Sequence, residues 1–194
     1  MNERTMQLPG GERLSVRPMQ ATDADAVLGA ITALSPESFR RRFFSPVPRL
    51  LPGMAEALTA VDDRHLTLLA FDEAGQLVAM AEAIRDQRDP QSAEFAVAVA
   101  DDHQHRGIGT RLLRWLSGYA VEEGVVRLTG FTQIDNLPAL SMFAKAGAHR
   151  WVEEPGVYGF EIPLVDSRVG RARSRAPRPR NGDGGLATRN ATQT

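Results

Sequence analysis

The stretch VAVADDHQHRGIGT, from Val97 to Thr110, constrains this chain more than any other. An alternating apolar strand runs into a short polar turn. Gly107 and Gly109 then open a segment to Glu123 with Ile108, Leu112, Leu116, Tyr119 and Ala120 on one helical face. The first N–H groups of a helix lack partners within it, and glycine lets a ligand approach the backbone. With the positive end of the helix dipole, this turn suits a pyrophosphate. Arg106 adds a candidate charge-assisted contact. The glycine spacing does not match the dinucleotide fingerprint, and no Gly-Lys-Ser/Thr ends the loop as a Walker A motif requires.

Periodicity places the other elements around this turn. Strands are expected at Glu12–Pro18, His65–Phe71, Leu77–Ile84, Ala93–Val99 and Val125–Thr132, with Arg150–Val152 and Gly156–Ile162 as a closing hairpin. Thr22 or Asp23 caps a helix with Ala24, Val27, Leu28, Ile31 and Leu34 along its stripe. Ser35 to Phe44, Leu51–Ala60, Gly107–Glu123 and Leu137–Ala146 are further helices, and Pro46-Val47-Pro48 is a loop spacer. The order predicts a mixed α/β (α+β) layer fold with six or seven strands and four to five helices.

The chain has 194 residues, 42% of them apolar and 24% charged, enough to bury one core. The domain is expected at 1–164 and a disordered Arg/Pro/Gly-rich tail at 165–194, where apolar residues nearly vanish. The first segment holds 16 basic and 22 acidic residues, a net of −6; the tail holds seven arginines and two aspartates, a net of +5. Six arginines between Arg168 and Arg180 suit a polyanion such as nucleic acid, but no aromatic is interleaved for base stacking, and a solubilising extension is the favoured reading. One lysine, Lys145, against 22 arginines is read as the base composition of a GC-rich bacterial genome. No apolar run is long enough to span a membrane and no apolar signal core follows Met1, which points to the cytoplasm. With no cysteine, disulfides, thiol nucleophiles and thiolate metal sites are excluded. His65, His103, His105 and His149 lack ligand spacing, so no metal is expected, and His103 and His105 are expected to face solvent. The Arg40-Arg41-Arg42 run is either a contact for an acidic substrate or a solvated helix face.

The loop Gln104-His105-Arg106-Gly107-Ile108-Gly109 resembles the Gln/Arg-x-x-Gly-x-Gly/Ala loop of the GNAT family of acetyl-CoA-dependent N-acetyltransferases. Asn136 opening a helix that ends near Gly147 is similar to that family's second block, and the strand order also agrees. The resemblance covers about 12–164. It implies a mostly antiparallel sheet splayed between the fourth and fifth of the expected strands, with the pantetheine arm of acetyl-CoA between them. It further implies that backbone groups of Ala96, Val97, Ala98 and Val99 bond that arm. Gln104, His105, Arg106, Gly107, Ile108, Gly109 and Thr110 would cradle the pyrophosphate, with Asn136 beside the cofactor. Some of the bacterial relatives carry a cyclic-nucleotide-binding domain; with only residues 1–11 ahead of the first expected strand, none is expected here.

Strand parity puts Phe95, Val97 and Val99 on one face and Glu94, Ala96, Ala98 and Ala100 on the other. A carboxylate leading a row of alanines leaves room for a substrate beside it. Attack on a thioester needs a neutral amine, and a partly buried glutamate is suited to take the ammonium proton. The segments Leu34–Ser38, Arg42–Phe44 and Ala93-Glu94-x-Ala-Val resemble the GNAT domain of bacterial protein lysine acetyltransferases, where the glutamate at the Glu94 position is the general base. The Val97 N–H is the candidate oxyanion donor. Where many members have a tyrosine as general acid, Phe143 stands here, so the thiolate leaves unassisted, takes a proton from water, or is served by another residue. The favoured acceptor is a protein lysine. A small-molecule amine is the alternative, and a non-catalytic acyl-CoA sensor with a polyanion-binding tail is the alternative of another class.

Overall fold

The computed structural model describes residues 2–45, 49–51 and 53–164; the tail and the Pro46-Val47-Pro48 spacer lie outside them. One sheet is built from β1 (Arg4–Gln7), β2 (Arg13–Pro18), β3 (His65–Phe71), β4 (Leu77–Arg85), β5 (Ser92–Val99), β6 (Arg127–Gln133), β7 (His149–Glu154) and β8 (Val157–Pro163). Its spatial order is β1-β2-β3-β4-β5-β6-β8-β7, antiparallel throughout except between β5 and β6. The helices are α1 (Ala24–Thr32), α2 (Pro36–Phe43), α3 (Met54–Leu58), α4 (Ile108–Glu122) and α5 (Leu137–Lys145).

The mixed α/β class holds, and the strand count rises from six or seven to eight. The added strand, β1, buries only Met6 deeply, so its four residues carry no readable alternation. The helix expected at Leu51–Ala60 contracts to α3, which starts after Gly53 in the left-handed conformation at φ 82°. Asp23 stands at the N-cap of α1, but its side chain makes no cap bond. Its carboxylate takes the Arg17 guanidinium at 2.7 Å and the Gln20 N–H instead, which holds it below its ordinary pKa.

The two sheet faces carry separate cores. Under one face lies the α4 stripe of Ile108, Leu112, Leu113, Leu116 and Ala120, packed on Leu66, Leu68, Ala81 and Phe95. Each fully buried leucine there contributes roughly 2 kcal/mol. Against the other face, Val27 and Ile31 of α1, Phe39 and Phe43 of α2, and Met54 and Leu58 of α3 pack on Leu69 and Met80. Strands β6, β8 and β7 differ. Leu128, Phe160 and Ile162 join the α4 core, but no residue of these three strands joins the α1–α3 core.

The parallel ladder between β5 and β6 has three rungs, Ser92↔Arg127, Ala93↔Leu128 and Glu94↔Thr129. Beyond Glu94 the two strands part, at the same pair for which the family resemblance implies splaying, now fifth and sixth in the count. Phe143 of α5 plugs the throat of this V, its ring centroid 5.2 Å from Phe95 and 4.7 Å from Phe160. A Cβ at Gly130 would sit 2.8 Å from the Phe95 ring, so only glycine lets that ring into the throat.

Candidate active site

Backbone direction decides what the gap offers. The Ala100 N–H donates to Val78 on the β4 side, and Ala98 and Ala96 pair with Met80 and Glu82 of β4. Because direction alternates along a strand, Ala96 and Ala98 spend their backbone groups on β4, while Val97 and Val99 turn theirs to the gap. The Val99 carbonyl accepts from Gln104 Nε2 at 3.1 Å. Of the four residues expected to bond a ligand in the gap through their backbone, two therefore face it.

The turn after β5 is built to receive an anion. His105 (φ 60°) and Gly107 (φ 79°) are both left-handed, and His105 is one of few non-glycine residues that are. This folds successive N–H groups into a concavity. Among the described residues, the N–H groups of 105–110 find no acceptor. Gly107 is open, with nothing within 4 Å of the place a Cβ would take. Gly109 has a different task from the expected ligand approach. A Cβ there would lie 3.4 Å from Met142 Sδ and 3.6 Å from Val97, so it seats the first turn of α4 against β5.

Three side chains of this region depart from expectation. Arg106 does not line the cleft; it pairs with Glu12. Gln104 is a strut, its Nε2 donating to Ser38 Oγ at 2.9 Å as well as to Val99. His103 is mostly buried rather than solvent-facing, with Nδ1 2.7 Å from Asp102 and Nε2 3.6 Å from Glu12, whereas His105 is exposed as expected.

Around the gap lies a cleft of about 410 Å³. One wall is Val97, Ala98, Val99 and the loop from His103 to Thr110 without Arg106. The second is Asn136 with α5, including Met142 and Lys145; the third is α2, through Ser38, Arg41 and Arg42. Asn136 caps α5: its Oδ1 accepts from the Ala139 N–H, and its Nδ2 donates to Thr132 Oγ1 at 3.0 Å.

Helix α2 is fastened to both sides of the V. At its start, Asp101 accepts from the Ser35 N–H at 2.8 Å, Ser35 Oγ at 2.7 Å and Ser38 Oγ at 2.6 Å. Burial pushes the Asp101 carboxyl up, but these hydrogen bonds outweigh it and hold it below its ordinary value. At its other end, Arg40 reaches Gln133 Oε1 at 2.6 Å and Asp135 at 3.0 Å, beyond β6. Arg41 pairs with Glu37, and Arg42 makes a buried ion pair with Glu82 of β4. Arg40 and Arg42 are thus ties to other elements, while Arg41 pairs within α2 and, with Arg42, lines the cleft. Sequence reasoning missed these ties. A signal for one exists: Glu82 sits on the same strand parity as Met80 and Ile84, an apolar row where a carboxylate needs a cation.

Glu94 is half-buried at the last rung, where the strands part, on the face shared with Ala96 and Ala98. It does not line the cleft itself.

A family model described as the acetyltransferase (GNAT) family matches residues 30–148. The chain belongs to the GNAT family. That family is described as one of acetyltransferases. Among its relatives, the acetyltransferase Pat of Mycolicibacterium smegmatis is 32% identical over 167 residues, 84% of this chain and 50% of Pat. The chain therefore spans half the length of that curated relative. The GNAT domain of S. lividans PAT superposes with a TM-score of 0.76 at 28% identity, covering 83% of this chain and 96% of that domain. The fold is shared as well with yncA from Salmonella typhimurium, solved with acetyl-CoA, at a TM-score of 0.65 and 14% identity over 82% of this chain and 99% of that one. The residues of this GNAT domain fit acetyl-CoA. The unsatisfied N–H groups of 105–110 suit its pyrophosphate, and the parted β5–β6 pair suits an extended arm. Among the described residues no cluster of His, Asp or Glu is able to hold a metal, and no helix is long and apolar enough to cross a membrane.

Proposed function

We propose that this GNAT domain transfers acetyl from acetyl-CoA to the ε-amine of a protein lysine, with Glu94 as general base. The observation that carries the reading is the position of Glu94 at the last β5–β6 rung, on the face that continues into Ala96 and Ala98. Acetyl-CoA supplies the activated acyl group. The loop 104–110 holds its pyrophosphate through the N–H groups of 105–110, which fixes the depth at which the thioester enters the gap. The Val97 N–H, turned to the gap, donates to the thioester carbonyl oxygen as negative charge grows there. Glu94 takes a proton from the incoming ammonium, directly or through one water, leaving an amine able to attack. Phe143 is buried in the throat with no proton to give, so the departing thiolate is protonated by water. The identity with Pat supports a protein acceptor, and with it a cytoplasmic site of action.

The test mixes purified protein, acetyl-labelled acetyl-CoA and a cell lysate, then divides label between protein precipitate and small-molecule supernatant. Glu94→Gln and an enzyme-free blank serve as controls. Label in protein that is lost with Glu94→Gln is expected. Label confined to the supernatant overturns the lysine acceptor in favour of a small amine, and binding of acetyl-CoA with no transfer to any amine overturns the catalytic reading.

A further inference from the structure

The registers align residues into rows across the sheet. On the face of Glu94, one row runs Ile84–Glu94–Thr129–Glu161–His149, from β4 to β7. The next row out contains Phe131, Gly159 and Trp151. Among the described residues, this face is covered by α1–α3 over β4 and β5, and by no helix over β6, β8 and β7. The bare part starts at the proposed base and extends three strands, roughly 14 Å at the usual strand spacing.

Its side chains have a consistent chemistry. Trp151 lies flat on Gly159: a Cβ there would stand 2.3 Å from the indole, so the glycine makes the berth for the ring. The indole N–H is fixed by Glu153 Oε2 at 2.7 Å. Trp151 remains 36% exposed. Glu161, two strands from Glu94 in the same row, is half-buried and has no ion pair or hydrogen bond among the described residues. On this face Arg127 is already held by Asp89, and Arg40 by Glu37 and Asp135. What remains is carboxylate beside aromatic surface, with His149 opposite Glu161 at the outer end of the row, on a body with a net charge of −6 over 1–164.

We infer that the bare face of β6–β8–β7 is the docking surface for a basic polypeptide that delivers its lysine to Glu94, with Trp151 and Glu161 as specificity determinants. This rests on the lysine-acceptor reading. Charge complementarity selects the occupant: Glu161 attracts cations flanking the target lysine, and the Trp151 ring receives the aliphatic stem or guanidinium of a neighbouring residue. A small amine would touch the Glu94 end only and would leave most of the surface unused.

Two peptides with a single lysine separate the outcomes, one flanked by arginines and one by glutamates, each assayed with acetyl-CoA. A third peptide, basic but with norleucine for lysine, reports binding by fluorescence anisotropy without chemistry. Glu161→Gln is expected to raise KM for the arginine-flanked peptide about five- to tenfold, as loss of a partly exposed charge contact does, with kcat and the KM for acetyl-CoA little moved. Norleucine-peptide binding weakens in parallel, and added salt narrows the difference between wild type and variant. Trp151→Ala acts in the same direction on both peptides; should it fold poorly, the near-isosteric Glu161→Gln carries the test alone. Wild-type KM and wild-type anisotropy in Glu161→Gln overturn the docking surface while leaving the lysine reading intact. Failure of the wild type itself on both peptides, with turnover on a small amine, overturns the lysine reading and the docking surface together.

Discussion

The sheet has two unlike arms. Strands β3–β5 are sandwiched between helices on both faces, and their residues read as long apolar runs: LVAMAEAIR of β4 is buried from Val78 through Ala83. Strands β6 and β8 are covered on one face, and β7 is exposed at every position. Burial on two sides gives the first arm its stability. Coverage on one side leaves the second arm polar, adjustable and open to a partner. The chemistry proposed here falls at the seam between them, where the ladder ends at Glu94↔Thr129.

Breaking the seam is expected to have the largest effect. Glu94→Gln should lower kcat by about two to four orders of magnitude, the usual worth of a general base, while acetyl-CoA binding by calorimetry stays as in wild type. In the covered arm, Arg42→Met leaves the buried Glu82 carboxylate without its partner and should cost roughly 3–5 kcal/mol in urea unfolding. Arg42→Met combined with Glu82→Leu should recover most of that loss, since the uncompensated charge is gone. Trp151→Ala in the bare arm should cost only about 1 kcal/mol, the ordinary scale for a part-exposed site. Equal losses in the two arms would erase the distinction.

A smaller effect is expected at the anion-binding turn. Gly107→Ala meets no neighbour but forces a Cβ into φ 79°, so roughly 1 kcal/mol of strain and a several-fold rise in KM for acetyl-CoA are expected together. Smallest is the acid response of α2. Asp101 is held below its unfolded value, so its support for α2 is complete above about pH 4 and is lost as pH falls through the lower, folded value. Hydrogen exchange of the α2 amides should therefore accelerate below that pH, and Asp101→Asn should remove this step.

What was legible in the sequence follows the same division. The covered arm and α4 have strong periodicity, so β3, β4, β5 and the glycine-opened helix stand where alternation and the 3.6-residue stripe put them. The face bearing Glu94 could be read from parity alone. The bare arm and the edges were harder: β1 buries one deep side chain, and β7, with no buried residue, has no alternation to reveal its full length from His149 to Glu154. Long-range ties left no local trace. Asp101 is 66 residues from Ser35, Arg106 is 94 from Glu12, and Arg40 is 93 from Gln133. For that reason Arg106 and Gln104, which motif reasoning aims at a phosphate, turn out to be committed to protein partners.

Helix α2, fastened to Asp101 on one bank of the V and to Gln133 and Asp135 on the other, works as a crossbeam of fixed span. Its eight residues are about 12 Å long at the helical rise, and a helix hardly stretches. The width of the gap is thereby set by a member that is not part of the sheet. A bulkier acyl group cannot gain room by prying the strands apart unless it first breaks this beam free. In the proposed binding mode its room comes lengthwise, toward the seam, where the Ala98 methyl group lines the cleft and gauges acyl size.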